Sequence, residues 1–280
     1  MKIIESPSEM QAFAMAERAK GHRIGFVPTM GALHSGHTSL MTLARKHCDI
    51  LIVSIFVNPL QFAAGEDLDS YPHTPKADHA KCEQHGVDIV FRPPTLYTLN
   101  HSTTVSVAGL SNGLCGSSRP THFDGVTTVV ARLFGLVQPH IAVFGQKDFQ
   151  QLTIIRRMVE DLAIPVEIIG GPIIREDDGI AMSSRNAYLS KSDRVRARSI
   201  SKALQTIQAD VYSGEYDTTK LLSTIQHILD VDTVDYISFV DPETLEPVAH
   251  IEQPTQLCVA AFLGTTRLID NCTLYKEVLE

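Results

Sequence analysis

Two histidines stand three residues apart in the run Pro28-Thr29-Met30-Gly31-Ala32-Leu33-His34-Ser35-Gly36-His37. At that spacing on a helix, His34 and His37 share one face and project toward the same group. The run follows an apolar stretch that reads as a strand and opens one that reads as a helix. Free N–H groups at a helix start favour phosphate, and Gly31 and Gly36 let backbone approach a ligand. Two surface histidines beside a turn would be the plainer reading, but the glycines and the strand-to-helix setting favour phosphate binding. No H-E-x-x-H and no cysteine partner accompanies them, so no zinc or other metal-ligand set is expected.

Other segments offer matching chemistry. Phe144-Gly145-Gln146-Lys147-Asp148-Phe149-Gln150-Gln151 follows a strand-like run. Lys147 supplies a compact positive charge for phosphates, and Asp148 can accept from a ribose hydroxyl or approach Mg²⁺. Alone, this pair reads as well as a solvated turn. Gly179-Ile180-Ala181-Met182-Ser183-Ser184-Arg185-Asn186 places two hydroxyls and a guanidinium in a short loop, which can grip a triphosphate or serve as a hinge. Gln61, in Asn58-Pro59-Leu60-Gln61-Phe62, offers a neutral donor and acceptor for a small hydroxy-acid or amine. Leu114–Gly125 is a polar loop that caps a site or merely connects elements, and Cys115 within it reads as a packed thiol.

The elements that must position these groups alternate. Arg23–Pro28, Asp49–Val57, Val87–Phe91, His140–Phe144 and Pro165–Gly170 read as strands, with helical stretches through Leu40–Ala44 and over Asp78–His85, Val126–Leu136 and Leu152–Glu160. That alternation predicts an α/β fold with a doubly wound parallel sheet and ligands at the carboxyl ends of its strands. Beyond Gly170-Gly171-Pro172 the order changes. A helix capped by Ser190 and a second over Thr219–Leu229 precede strands Asp235–Val240 and Leu257–Phe262. Residues 1–175 are therefore expected as one Rossmann-like domain and residues 176–280 as a smaller α+β domain. The latter is expected to act as a lid over the site, with Gly170, Gly171 and Gly179 taking up the motion.

Composition excludes several classes. Residues 1–175 carry 15 Lys+Arg against 15 Asp+Glu, whereas residues 176–280 carry 9 against 17. Neither part presents the excess of basic residues that nucleic acid or an anionic membrane would require. Local donors must meet any anionic substrate. Five cysteines without a C-x-x-C pair read as reduced thiols, and the N-terminus lacks the apolar core of a signal peptide, so a cytoplasmic protein is expected.

With these residues assembled, the chain resembles the pantothenate synthetase (pantoate–β-alanine ligase) family nearly end to end. The likeness covers PTMGALHSGH (28–37), VNPLQF (57–62), RPTHFDGVTTVVARLF (119–134), FGQKDFQQL (144–152), MSSRNAYLS (182–190) and GTTRLIDN (264–271). The early H-x-G-H and the late Met-Ser-Ser-Arg loop are the two ATP signatures of a nucleotidyl-transferase superfold related to class I aminoacyl-tRNA synthetases. The resemblance implies a homodimer that takes ATP with Mg²⁺, pantoate and β-alanine, with no tightly bound organic cofactor. It also implies a pantoyl-adenylate intermediate, released pyrophosphate and AMP, and a place in coenzyme A biosynthesis.

By the same resemblance, Met30, Gly31, Ala32, Leu33, His34, Ser35, Gly36 and His37 would contact ATP, as would Gly145, Gln146, Lys147, Asp148, Ile174, Met182, Ser183, Ser184 and Arg185. His37 corresponds to the family's proton donor; Gln61 would lie against pantoate and β-alanine, and Gln151 against pantoate. Three residues depart from the usual pattern: Gln146 and Cys115 stand where glutamates are common, and His73 where arginine is. The first two remove carboxylates near the site, yet activity is expected to survive. A carboxylate substrate is already ionised at pH 7, so adenylation needs charge neutralisation and in-line placement rather than a base. His34, His37, Lys147, Arg185 and Mg²⁺ are the groups that could supply it. A nucleotidylyltransferase of the same superfold, or a silent nucleotide-binding protein, are the alternatives.

Overall fold

The computed structural model describes residues 1–63 and 65–276. Six strands, β1 (Lys2–Ile4), β2 (Ile24–Thr29), β3 (Ile50–Ile55), β4 (Ile89–Phe91), β5 (Ile141–Gly145) and β6 (Glu167–Gly171), form a parallel sheet in the order β1-β4-β3-β2-β5-β6. Between them run α1 (Pro7–Ala19), α2 (Ser35–Arg45), α3 (Pro75–Gln84), the single turn α4 (Cys115–Ser118), α5 (His122–Val137) and α6 (Phe149–Asp161). Successive strand residues point to opposite faces. Phe26, Ile52, Ala142 and Phe144 pack with Met10, Val130 and Ile154 of α1, α5 and α6. Val27, Val53, Ile141 and Val143 pack on the other face with Met41 of α2 and Cys82 of α3. Both faces are covered, which is why the central strands read as unbroken apolar runs.

The sheet order fixes where a ligand can sit. On one side of β2 lie β3, β4 and, at the edge, the N-terminal β1, whereas β5 and β6 lie on the other side of β2. The order reverses between β2 and β5, paired at Gly25–Ile141. The carboxyl ends of those two strands open the crevice in which such folds bind ligands. They lead directly into Met30–His37 and Gln146–Asp148.

A second core gathers Ile200, Leu204 and Ile207 of α7 (Lys191–Tyr212), Leu221 and Ile225 of α8 (Thr218–Ile228), and Leu257, Val259 and Ala261 of an antiparallel sheet. That sheet has the order β7 (Thr233–Val240), β8 (Thr255–Leu263), β9 (Thr266–Leu274). Ser190 caps α7 by accepting from the Asp193 amide, as the sequence predicts.

The structure departs from the sequence-based expectation in several places. Helix α1, capped by Ser6 with Pro7 in its first turn, and strands β1 and β9 lie outside that expectation. Helix α5 begins at His122 rather than Val126, so part of the expected connecting loop is helical. Gly170 and Gly171 are paired within β6 to Phe144 and Gly145, which makes them sheet residues rather than a hinge. Gly179, at φ +89°, closes a turn whose amide reaches the Glu176 carbonyl.

Candidate functional site

A cavity of about 240 Å³ opens at the β2–β5 crevice, and one of about 740 Å³ adjoins it beside α4, α7 and β9, with Lys147, Asp148, Gln151 and Arg185 among the residues lining both. Met30, His34, Gly36, His37, Gln61, Gly145, Ile174, Met182, Ser183 and Ser184 line the smaller one. Most of the residues singled out from the sequence are thus brought together. Gly31, Ala32, Leu33, Ser35 and Gln146 are not among its lining. Leu33 is buried in the core under α2, and Gln146 offers its carbonyl to Asn271 instead.

The turn after β2 is built differently from a plain helix start. His34 is not on the helix: with φ −133° it is the N-cap of α2. Its Nδ1 accepts from the Gly36 amide at 3.2 Å, and Nδ1 of His37 accepts from the His34 amide at 3.3 Å. A side chain on Gly36 would meet the His34 ring at 2.9 Å, so this glycine makes room for imidazole rather than for ligand. The two rings lie 4.0 Å apart. With both Nδ1 atoms accepting, the remaining proton of each neutral ring resides on Nε2. Burial, reinforced by the charge of Lys147, lowers the pKa of His34 to about 3. Burial likewise lowers that of His37 to about 4, against the pull of Asp148. Both are neutral hydrogen-bond donors at pH 7.

The amides of this turn are largely taken. Ala32 and Leu33 donate to the carboxylate of Asp78 at 3.0 and 2.8 Å, while Gly36 and His34 donate to imidazoles. The amides of Ala32, Leu33, His34 and Gly36 are therefore satisfied internally, and imidazole N–H groups stand beside them as donors. Gly31 at φ +88° and Ala32 at φ +49° both occupy the left-handed region.

Around Gln61 a second set of donors is locked. Its side chain accepts from the Asn58 amide at 3.3 Å and approaches the sulfur of Met30 at 2.9 Å. Its carbonyl accepts from His122 Nδ1 at 2.8 Å and Arg119 Nη2 at 3.2 Å. Arg119 Nη1 in turn donates to His122 Nε2 at 3.1 Å, which holds His122 as the Nδ1–H tautomer. Burial, then the neighbouring Arg119 charge, lowers its pKa to about 4. Gly125 lets α5 approach this turn, since a Cβ there would stand 2.3 Å from the Leu60 carbonyl oxygen.

The cations of the site are held by two adjacent carboxylates. Glu66 pairs with Arg119, and Asp67 with Arg185 at 3.0 and 2.8 Å. Burial alone would raise both carboxyl pKa values, but the arginine hydrogen bonds outweigh it and hold them below the usual range. Tyr71, from the same loop, lies 3.4 Å from the Ser184 hydroxyl. Ile174 accepts from the Met182 amide, tying that segment to the late loop. Asn271 of β9 donates to the carbonyls of Gln146 and Lys147 at 3.0 and 2.8 Å, fixing the turn that carries Lys147.

Cys115 is buried among polar partners. Its sulfur lies 3.2 Å from the Tyr236 hydroxyl and 3.4 Å from Arg267 Nη2, whose guanidinium also pairs with Asp235. His73 is exposed. Among the described residues no group of three or more His, Cys, Asp or Glu could hold a metal ion. Asp148 is the half-exposed carboxylate beside Lys147, which suits Mg²⁺ carried in on a triphosphate rather than caged by protein. No helix among the described residues is long and apolar enough to cross a membrane.

Sequence reasoning missed Asp78, Glu66, Asp67 and Asn271, and left Arg119 and His122 undecided. The polar run Arg119–Asp124 was the available signal for the last two. One of two carboxylates in a polar helix, Asp78 gave none.

Comparison with known proteins matches this geometry to one family. A family model described as pantoate-beta-alanine ligase covers residues 2–273. The chain is 49% identical to the pantothenate synthetase of Geotalea uraniireducens (strain Rf4) over 99% of its length and 100% of that protein. The crystal structure of pantothenate synthetase from Thermus thermophilus superposes with a TM-score of 0.93 at 41% identity, covering 98% of this chain and 100% of the other. That of pantoate-beta-alanine ligase from Francisella tularensis, complexed with beta-gamma ATP and beta-alanine, gives 0.81 at 32% identity and 97% of each chain.

Proposed function

The chain belongs to the pantoate-beta-alanine ligase family, and from that premise we propose that it joins pantoate to β-alanine through a pantoyl-adenylate. The observation that carries this reading is the convergence of His34, His37, Lys147 and Arg185 on one crevice that offers hydrogen-bond donors and positive charge. In the first step a pantoate carboxylate oxygen bonds to the α-phosphorus of ATP and pyrophosphate leaves. The Nε2–H groups of His34 and His37 and the charge of Lys147 and Arg185 stabilise the negative charge that develops on the phosphoryl oxygens. Mg²⁺, entering with the triphosphate and reached by Asp148, would add to that neutralisation. In the second step the neutral β-alanine amine bonds to the acyl carbon, the acyl C–O bond breaks so that AMP leaves with the former carboxylate oxygen, and one proton passes from the nitrogen to solvent.

Placement supports the following residue roles. His34 and His37, fixed by their Nδ1 bonds, orient donors without carrying charge. Gln61, pinned between Asn58 and Met30, and Gln151 on the same wall face the pantoate position. Neutral His122 and Arg119 brace Gln61 from behind. Residues 176–280 form a lid whose Met182–Arg185 loop completes the nucleotide site and keeps water from the adenylate. The same reading includes a homodimer in the cytoplasm.

The test is incubation with ATP, Mg²⁺, pantoate and β-alanine, together with label exchange from pyrophosphate into ATP. Pantothenate with AMP release, and exchange that needs pantoate but no β-alanine, are the expected results. AMP retained in the product would assign the chain to nucleotidyl transfer, no turnover would make it a silent binder, and absent exchange would overturn the adenylate.

A further inference from the structure

Asp78 is 1% exposed, and its carboxylate is met by three hydrogen-bond donors. They are the amides of Ala32 and Leu33 at 3.0 and 2.8 Å and the Thr74 hydroxyl at 3.0 Å. An unmet carboxylate at that depth would be costly, so these bonds define the local structure. Two of them reach across to another element, the turn between β2 and α2, and one end of that turn carries Met30 while the other carries the two imidazoles. Ala32, the residue between, sits at φ +49°, a conformation that a non-glycine residue adopts only under constraint. The Lys81 ammonium, one turn further along α3, donates to the Leu33 carbonyl. Helix α3 therefore grips both polar groups of Leu33.

Resting on the reading of Met30–His37 as the ATP turn, we propose that Asp78 is its positioning residue: by holding the Ala32 and Leu33 amides it sets where the Nε2–H groups of His34 and His37 stand. Asp78 touches no substrate. Thr74 donates to the same oxygen, Oδ1, that receives the Leu33 amide, and touches neither amide itself.

The experiment compares Asp78→Asn, Thr74→Val and the unaltered chain. Asp78→Asn keeps shape but turns one acceptor into a donor facing a backbone N–H, so one amide is left unmet. The expected results are an ATP dissociation constant raised about tenfold or more by calorimetry, KM for β-alanine nearly unchanged, and faster hydrogen exchange at Ala32 and Leu33. Thr74→Val, which removes one donor and leaves both amide bonds, should keep ATP affinity within about threefold. A merely structural role would lower the melting temperature of Asp78→Asn while leaving ATP affinity and the KM pattern as they were, and that result overturns the proposal. Equal losses of affinity in both variants would also overturn it. An unaltered chain that binds ATP but makes no pantothenate removes the proposed reaction and leaves the positioning role to be judged on affinity and exchange. One that binds no ATP removes both.

Discussion

The guanidinium of Arg185 is bound to the carboxylate of Asp67 through two hydrogen bonds across 118 residues of sequence. The group that the proposed reading assigns to the triphosphate is thus already engaged by an anion of the chain itself. On that reading nucleotide exchanges with Asp67, and part of its binding energy goes into breaking this pair. Asp67→Asn should tighten ATP binding by about two- to fivefold at low salt, the range of a partly exposed ion pair. Calorimetry checks it, and unchanged affinity would show that Asp67 stays on Arg185 in the complex.

The lid reading gives a separate expectation. Arg185→Ala should raise KM for ATP and increase the share of AMP formed without pantothenate, because an open site admits water to the adenylate. Small-angle scattering with a non-hydrolysable ATP analogue should show contraction of the unaltered chain. Unchanged scattering with an unchanged product ratio describes a docked, static unit.

The histidines set the acid response. In the unfolded chain imidazoles titrate near 6.5, whereas folded His34 titrates at about 3 and His37 and His122 at about 4. The unfolded state takes up protons first, so stability is complete above pH 6.5 and declines as pH falls from there toward 4. Asp67 and Glu66, held low by arginine, add their loss only below the ordinary carboxylate range. Melting temperatures measured between pH 7.5 and 4.5 should fall with acid, and His37→Gln should flatten that slope where Asp67→Asn does not.

Lys147→Ala and His37→Ala should separate catalysis from folding. Losing one donor to a developing charge costs about 3–4 kcal/mol of barrier. Truncating a surface polar side chain shifts stability by about 0.5 kcal/mol or less. For Lys147, whose partner Asp148 is 3.7 Å away and half exposed, little stability is at stake. For His37 the cap bond to His34 is lost too, so a somewhat larger drop of about 1 kcal/mol is expected. Inactive variants whose melting collapses would assign these residues to structure.

Gly125→Ala probes how Gln61 is placed. The added carbon would lie 2.3 Å from the Leu60 carbonyl oxygen and 2.6 Å from the Gln61 nitrogen, so α5 and the Asn58–Gln61 turn must separate. Overpacking of this kind costs about 1–3 kcal/mol. The Asn58 amide bond to the Gly125 carbonyl would stretch with it. KM for pantoate should rise while ATP affinity holds, in steady-state kinetics and calorimetry respectively.

What the sequence disclosed follows from what periodicity can encode. Val27 and Val53 belong to strands buried on both faces, and such runs are visible without a structure. The residues at the ends of β2 and β5 were legible because a strand leading into a glycine-bearing polar turn marks a sheet edge. Asp78 was hidden because its meaning lies in which backbone amides it meets, and those belong to a segment 45 and 46 residues away. The reversal of His34 from helix face to helix cap was hidden too, since spacing alone cannot tell an imidazole that faces outward from one that turns back on its own chain. Strand β9 escaped because buried polar Thr266, Asp270 and Asn271 and the charged Arg267 interrupt its apolar pattern.

The clasp of Asn271 on the carbonyls of Gln146 and Lys147 spans 125 and 124 residues. A ribosome delivers those carbonyls long before the amide that secures them. A nascent chain stalled at residue 250 would already hold every strand of the parallel sheet and both histidines, yet the turn bearing Lys147 would lack this support. On the proposed function, competence is reached late in synthesis, when the last strand zips onto β8, and chains truncated before β9 should fold the parallel sheet yet turn over poorly.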